Sequence, residues 1–185
     1  MNVYDFDHTI YRGDCTLNFW LHCIRKCPSV LWALPQTLIT AVRFRLGRCS
    51  RETFKESFYR FLQYIPDVKQ EIQDFWNGHL QKIQSWYLEQ KQRDDVIISA
   101  SPEFLISEVC TRLEVRWIAS PVDCKSGRLL APNCRGAEKV RRFFQEYPQA
   151  TMDNFYSDSI SDAPLAAFAK HAYQIKRGKI VKWGK

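Results

Sequence analysis

Apolar positions in the first half of the chain recur at helical spacing, and those in the second half come as short runs between turn signals. Val3 to Phe6 reads as a strand that ends in a polar turn. From about Asp14 to Gln90 the period is helical. Phe19, Trp20 and Cys23 recur together, as do Phe54, Phe58, Phe61 and Leu62, and Phe75, Leu80, Ile83 and Leu88 extend the pattern. Breaks at Pro28, near Gly47–Ser50 and at Pro66–Asp67 divide this block into about four helices.

The pattern changes after Arg93–Asp95. Val96–Ile98 is a β-branched run that enters a turn at Ser99, and Pro102 suits the start of a helix reaching about Leu113. Val115–Ala119 reads as another strand. Lys125-Ser126-Gly127-Arg128 signals a turn between two short extended pieces within Pro121–Pro132. Gly136–Tyr147 is predicted helical, Thr151–Tyr156 extended, Ser161–Ala169 helical and Ala172–Ile175 a last strand before a basic tail. Alternating strands and helices predict an α/β protein with a parallel sheet flanked by helices. The long helical block is then an insertion after the first strand, near the carboxyl ends of the strands, where such sheets bind ligands.

Composition adds limits. The chain has 185 residues, 45% apolar and 25% charged, which is globular rather than disordered. Seven cysteines include no C-x-x-C pair and no completed zinc pattern, so they read as reduced thiols. The N-terminus lacks the pattern of a signal peptide, and a cytoplasmic location is expected. The longest uncharged run, Cys27 to Val42, is short of a membrane span and contains Pro28 and Pro35. The net charge of +7 suits anionic ligands, but nothing resembles a nucleic-acid-binding signature.

The candidate chemistry begins at Asp5-Phe6-Asp7-His8-Thr9. Carboxylates at i and i+2 of an extended segment face the same way, and two adjacent anions need a cation or a shared proton. Mg²⁺ fits, because it takes hard oxygen ligands and leaves room for a phosphate. Asp158 follows another apolar strand, and Asp162 lies four residues on, so four carboxylates are expected to converge. Ser99 ends a core strand, where it can hold a phosphoryl oxygen. Lys139 lies near a helix start, where it can offset phosphate charge.

In order, D-x-D-x-T, a strand ending in Ser, a Lys, and S-D-x-x-x-D resemble the haloacid dehalogenase (HAD) superfamily of phosphatases. The helical insertion resembles the subfamily that includes phosphoserine phosphatase and phosphatidylglycerophosphatase C. His8 and Ser157 stand where relatives often carry Gly. The resemblance implies a Rossmann-like catalytic core over residues 1–12 and 91–185 and an all-helical cap over 13–90. It implies that Asp5 is the nucleophile, that Asp7 is the acid and base, and that Ser99 and Lys139 bind the phosphoryl group. Mg²⁺ is expected on Asp5, the Asp7 carbonyl and Asp158, with Asp162 supporting its shell. Thr9, Asp14, Ala100 and Ser101 are expected beside the substrate.

The expected substrate is a small phosphorylated metabolite. Asp14 reads as a helix N-cap that also lies within reach of it, and Arg43, Arg45, Arg48 and Arg51 are candidates for a substrate carboxylate. A second reading takes the apolar Cys27–Val42 stretch with its basic flanks as a membrane contact serving a lipid phosphate. A third keeps the scaffold as a silent phosphate-binding module.

Overall fold

The computed structural model describes residues 1–184. Its sheet has six strands: β1 (Asn2–Tyr4), β2 (Val96–Pro102), β3 (Arg116–Ser120), β4 (Met152–Ser157), β5 (Ala169–Lys176) and β6 (Lys179–Lys182). They lie in the order β3-β2-β1-β4-β5-β6, and only β6 runs antiparallel. The central strand β1 sets the register: Val3 lies between Val96 and Phe155. Strand order reverses at β1, since the chain first builds outward to β3 and then returns to β4. Such a reversal opens a crevice at the carboxyl ends of the strands.

Side chains alternate across the sheet, and each face has its own core. Val3, Val96, Ile98 and Phe155 pack on one face with Phe143 of α7 (Ala137–Glu146) and Leu165 of α8 (Ala163–Ala166). Tyr4 and Ile97 pack on the other with α6 (Glu103–Leu113) and the helical block. The block comprises α1 (Cys15–Lys26), α2 (Leu34–Arg45), α3 (Arg51–Tyr59), α4 (Val68–His79) and α5 (Ser85–Gln90), joined in part by 3₁₀ turns. Asp14, Ser50 and Asp67 cap α1, α3 and α4 by accepting main-chain N–H bonds. Phe6, Phe19, Tyr59, Phe75 and Trp76 make one continuous core from sheet to insertion.

Three expectations shift. The helix predicted over 161–169 shrinks to a 3₁₀ turn at Ile160–Asp162 and the short α8, because pairing of Ala169 with Met152 starts β5 early. The basic tail contains β6, turned back by Arg177 and Gly178, both at positive φ as a two-residue hairpin turn requires. The two extended pieces around Lys125–Arg128 reduce to a single bridge, Val122 to Leu129. Gly127 there lies against α3: a Cβ would stand 2.6 Å from the Tyr59 main chain.

Candidate active site

The carboxyl ends of β1, β2 and β4 open into a cavity of about 470 Å³ roofed by α1 and α3. Asp5 follows β1, and its N–H bonds the Tyr156 carbonyl on β4 at 2.8 Å. The chain then wraps tightly, with the N–H groups of Thr9, Ile10 and Tyr11 all donating to the Phe6 carbonyl. His8 adopts φ +56° in this wrap, the left-handed region that favours glycine. Ser157 needs no such freedom. It continues β4, and its hydroxyl donates to Asp162 at 2.8 Å.

Lys139 comes from the first turn of α7 and is buried. Its ammonium donates to Asp5 Oδ1 and Asp162 Oδ2, each at 2.7 Å. Burial works against this charge, yet Asp5 and Asp162 together hold the lysine above its ordinary pKa. Burial pushes Asp5 up to about 7, opposed by Lys139 and reinforced by the charges of Asp162 and Asp158. Asp7 accepts the Cys15 N–H at 2.6 Å through Oδ1 and the Ser101 hydroxyl at 2.5 Å through Oδ2. Its pKa is also raised, by burial and then by the charge of Asp14. The Ser99 hydroxyl, buried midway along β2, which runs on to Pro102, accepts the Ser101 N–H at 3.0 Å.

Among the described residues, no group of three His, Cys, Asp or Glu side chains is arranged to hold a metal ion. The four carboxylates expected to converge do share the cavity, and their partners differ. Asp7 spends its carboxylate on Cys15 and Ser101, and Asp162 pairs with Lys139 and Ser157. Asp5, bonded to Lys139 through Oδ1, and Asp158 both face the open cavity, and the charge of Asp158 adds to the rise in the Asp5 pKa. Burial raises Asp158 too. A facing carboxylate pair is costly without a cation or a shared proton. Two carboxylates beside main-chain oxygens also form the hard donor set that Mg²⁺ accepts.

A family model of haloacid dehalogenase-like hydrolases matches residues 3–167. The chain belongs to that family. No curated protein matches it. Among solved structures, a protein of unknown function from Bordetella pertussis Tohama I is 17% identical, with a TM-score of 0.72 over 93% of this chain and 87% of that one. A probable phosphoserine phosphatase from Vibrio cholerae is 12% identical, with a TM-score of 0.64 over 92% of this chain but 55% of that one. A phospho-aspartyl intermediate analogue of phosphoserine phosphatase is 13% identical, with a TM-score of 0.53 over 92% and 83%. At these identities the likeness is one of fold.

In this haloacid dehalogenase-like hydrolase, Asp5, Asp7, Asp14, Ser99, Ala100, Ser101, Lys139, Asp158 and Asp162 all line the cavity. Thr9 does not. It is fully buried, and its hydroxyl accepts the Asp158 N–H at 2.9 Å, so it ties β1's loop to β4's instead of facing a substrate. Asp14 both caps α1, through the Leu17 N–H at 2.8 Å, and faces the cavity. Of the four candidate arginines only Arg51 lines it.

Lys55, Asn133, Arg135, Phe54 and Phe58 line the cavity without having been expected. Lys55 reaches from α3 to the Ala100 carbonyl at 2.7 Å and to Asn133 Oδ1 at 2.6 Å. Burial lowers its pKa to about 8, although Asp7 and Asp14 pull the other way. The available signal was helical spacing: Arg51, Phe54, Lys55 and Phe58 follow i, i+3, i+4, i+7 and share one face.

Proposed function

We propose that this hydrolase is a phosphatase for a small phosphorylated metabolite and that Asp5 is its covalent nucleophile. The observation that carries the reading is the Asp5 carboxylate at the cavity floor, braced by buried Lys139 and facing Asp158. Attack by Asp5 on phosphorus forms an Asp–O–P bond as the bond to the leaving oxygen breaks. Asp7, with its pKa raised, donates the proton that the leaving oxygen needs. It then takes a proton from the water that hydrolyses the aspartyl-phosphate, releasing inorganic phosphate.

Lys139 offsets charge on Asp5 and on the transferred group. The Ser99 hydroxyl accepts the Ser101 N–H, which leaves its own proton for a phosphoryl oxygen. Asp5, the Asp7 main-chain oxygen and Asp158 would hold Mg²⁺, which when bound lets an anionic carboxylate approach an anionic phosphate. Asp162 keeps Lys139 in place. The helical insertion acts as the cap that closes over the leaving group.

Asp5→Asn is expected to lower turnover of p-nitrophenyl phosphate by roughly 10⁴-fold while the circular dichroism spectrum stays unchanged. Retained turnover, with deamidation excluded by mass spectrometry, rules out Asp5 as nucleophile. No hydrolysis of a broad phosphomonoester panel by the wild type with Mg²⁺ leaves a silent phosphate-binding module. A lipid phosphomonoester is a second reading, favoured by the apolar wall that Leu17, Phe54 and Phe58 offer a leaving group.

A further inference from the structure

Helix α2 is turned inside out. Its buried positions are Thr37 and Thr40, preceded by Ala33. Thr37 donates to the Ala33 and Ser57 carbonyls at 3.0 Å, and Thr40 donates to the Gln36 carbonyl at 2.7 Å and to Ser57 Oγ at 3.0 Å. Outward stand Leu38, Ile39, Val42 and Leu46, each about 60% exposed, with Leu31 and Trp32 alongside at 40% and 76%. A helix of a water-soluble surface shows the opposite arrangement. At 100° per residue the four aliphatic positions fall in one stripe about 100° wide, and Arg43 and Arg45 project on either side of it. Apolar patches rimmed by polar groups mark interaction sites.

Charge chooses the occupant. Residues 27–51 contain four arginines and no Asp or Glu. No ion pair among the described residues uses Arg43, Arg45 or Arg48. Two copies of this face pressed together would oppose arginine to arginine. An apolar stripe flanked by cations, with an exposed tryptophan beside it, suits the boundary between lipid headgroups and acyl chains.

We propose that α2 and the adjoining Leu31–Trp32 segment dock this enzyme, lying flat, on an anionic membrane surface. No helix among the described residues is long and apolar enough to cross a membrane, and the proposed contact is made by α2 lying flat. The docked face lies one helix away from the cavity. Phe44 of α2 stacks on the cavity-lining Phe54, with ring centroids 5.5 Å apart, and Arg51 lies over the Phe44 ring at 5.4 Å. Attachment through this face does not require the phosphatase reading to hold.

The test is co-sedimentation of the full chain with vesicles at low salt, phosphatidylcholine alone against phosphatidylcholine mixed with phosphatidylglycerol. Binding only to the mixed vesicles is expected, falling as salt is raised. Replacing Leu38, Ile39 and Val42 together by Gln should abolish it, with the circular dichroism spectrum unchanged. Replacing Arg43, Arg45 and Arg48 together by Gln should weaken it on the order of 100-fold. Absence of binding to the mixed vesicles overturns the proposal, as does binding that both triple variants retain. A wild-type dimer that the Leu38, Ile39 and Val42 variant converts to monomer, read by light scattering, also overturns it, because a second copy then covers the face.

Discussion

The floor of the cavity and its wall differ in how firmly the fold holds them. On the floor, Asp5, Asp7 and Asp162 sit at strand ends or in the turns that follow, and each carboxylate has a donor fixed at 2.5–2.8 Å. On the wall, Arg51, Phe54, Lys55 and Phe58 hang from one helix, and of these only Lys55 hydrogen-bonds across to the β2 end. Charge buried in a rigid frame suits a reaction step that must not vary, because preorganised groups need no rearrangement as charge develops. Side chains on a single helix can change without disturbing that frame, so the wall is where substrate choice can reside.

Four measurements can break or sharpen this contrast. The largest effect is expected from metal removal. Dialysis against EDTA should reduce turnover to background and added Mg²⁺ should restore it, while thermal unfolding still shows a folded chain. Full activity without metal would mean that Lys139 suffices to offset the charge on Asp5 and the phosphate. Next comes Lys139→Met, which leaves Asp5 and Asp162 buried without their cation. It should cost about 3–5 kcal/mol in urea unfolding and most of the turnover. A loss under 1 kcal/mol would mean that the floor is not held by this ion triad.

Gly127→Ala probes the seating of the wall. The added methyl meets the Tyr59 main chain and the residue already has φ +76°. A destabilisation of about 1–3 kcal/mol and a raised KM are expected, with kcat changed less. The smallest effect is expected from Lys55→Met, a rise in KM of about tenfold with kcat changed under threefold, the split that marks binding lost equally from ground and transition states. Lys55 is cationic below about pH 8 and neutral above it. Wild-type KM should therefore rise as pH passes upward through 8, and that rise should vanish in the variant. An equal pH dependence in both would assign the titration to another group.

The floor was largely legible in the chain. A carboxylate after a β-branched strand declares itself by local pattern, and Asp5, Ser99 and Asp158 each follow the apolar run that positions them. The wall was not, because helical spacing tells which residues share a face but not what that face meets. Arg51 could not be separated from Arg43, Arg45 and Arg48 by composition, although it alone of the four reaches the cavity. The edge strand β6 went unread because all four of its residues are exposed and carry no alternation of buried and exposed positions.

What the sequence determined by itself was the strand and helix alternation, the long helical insertion and the order of its acidic motifs, since each rests on contacts between residues near in the chain. What only the tertiary structure decided was pairing at a distance. Asp162 reaches the shared cavity bonded to Lys139 and Ser157, Thr9 turns inward to the Asp158 main chain, and α2 shows Leu38, Ile39 and Val42 to solvent while its threonines bond Ser57. The reason is physical: a buried polar group must find a partner wherever the fold brings one within about 3 Å, and that distance is a property of packing.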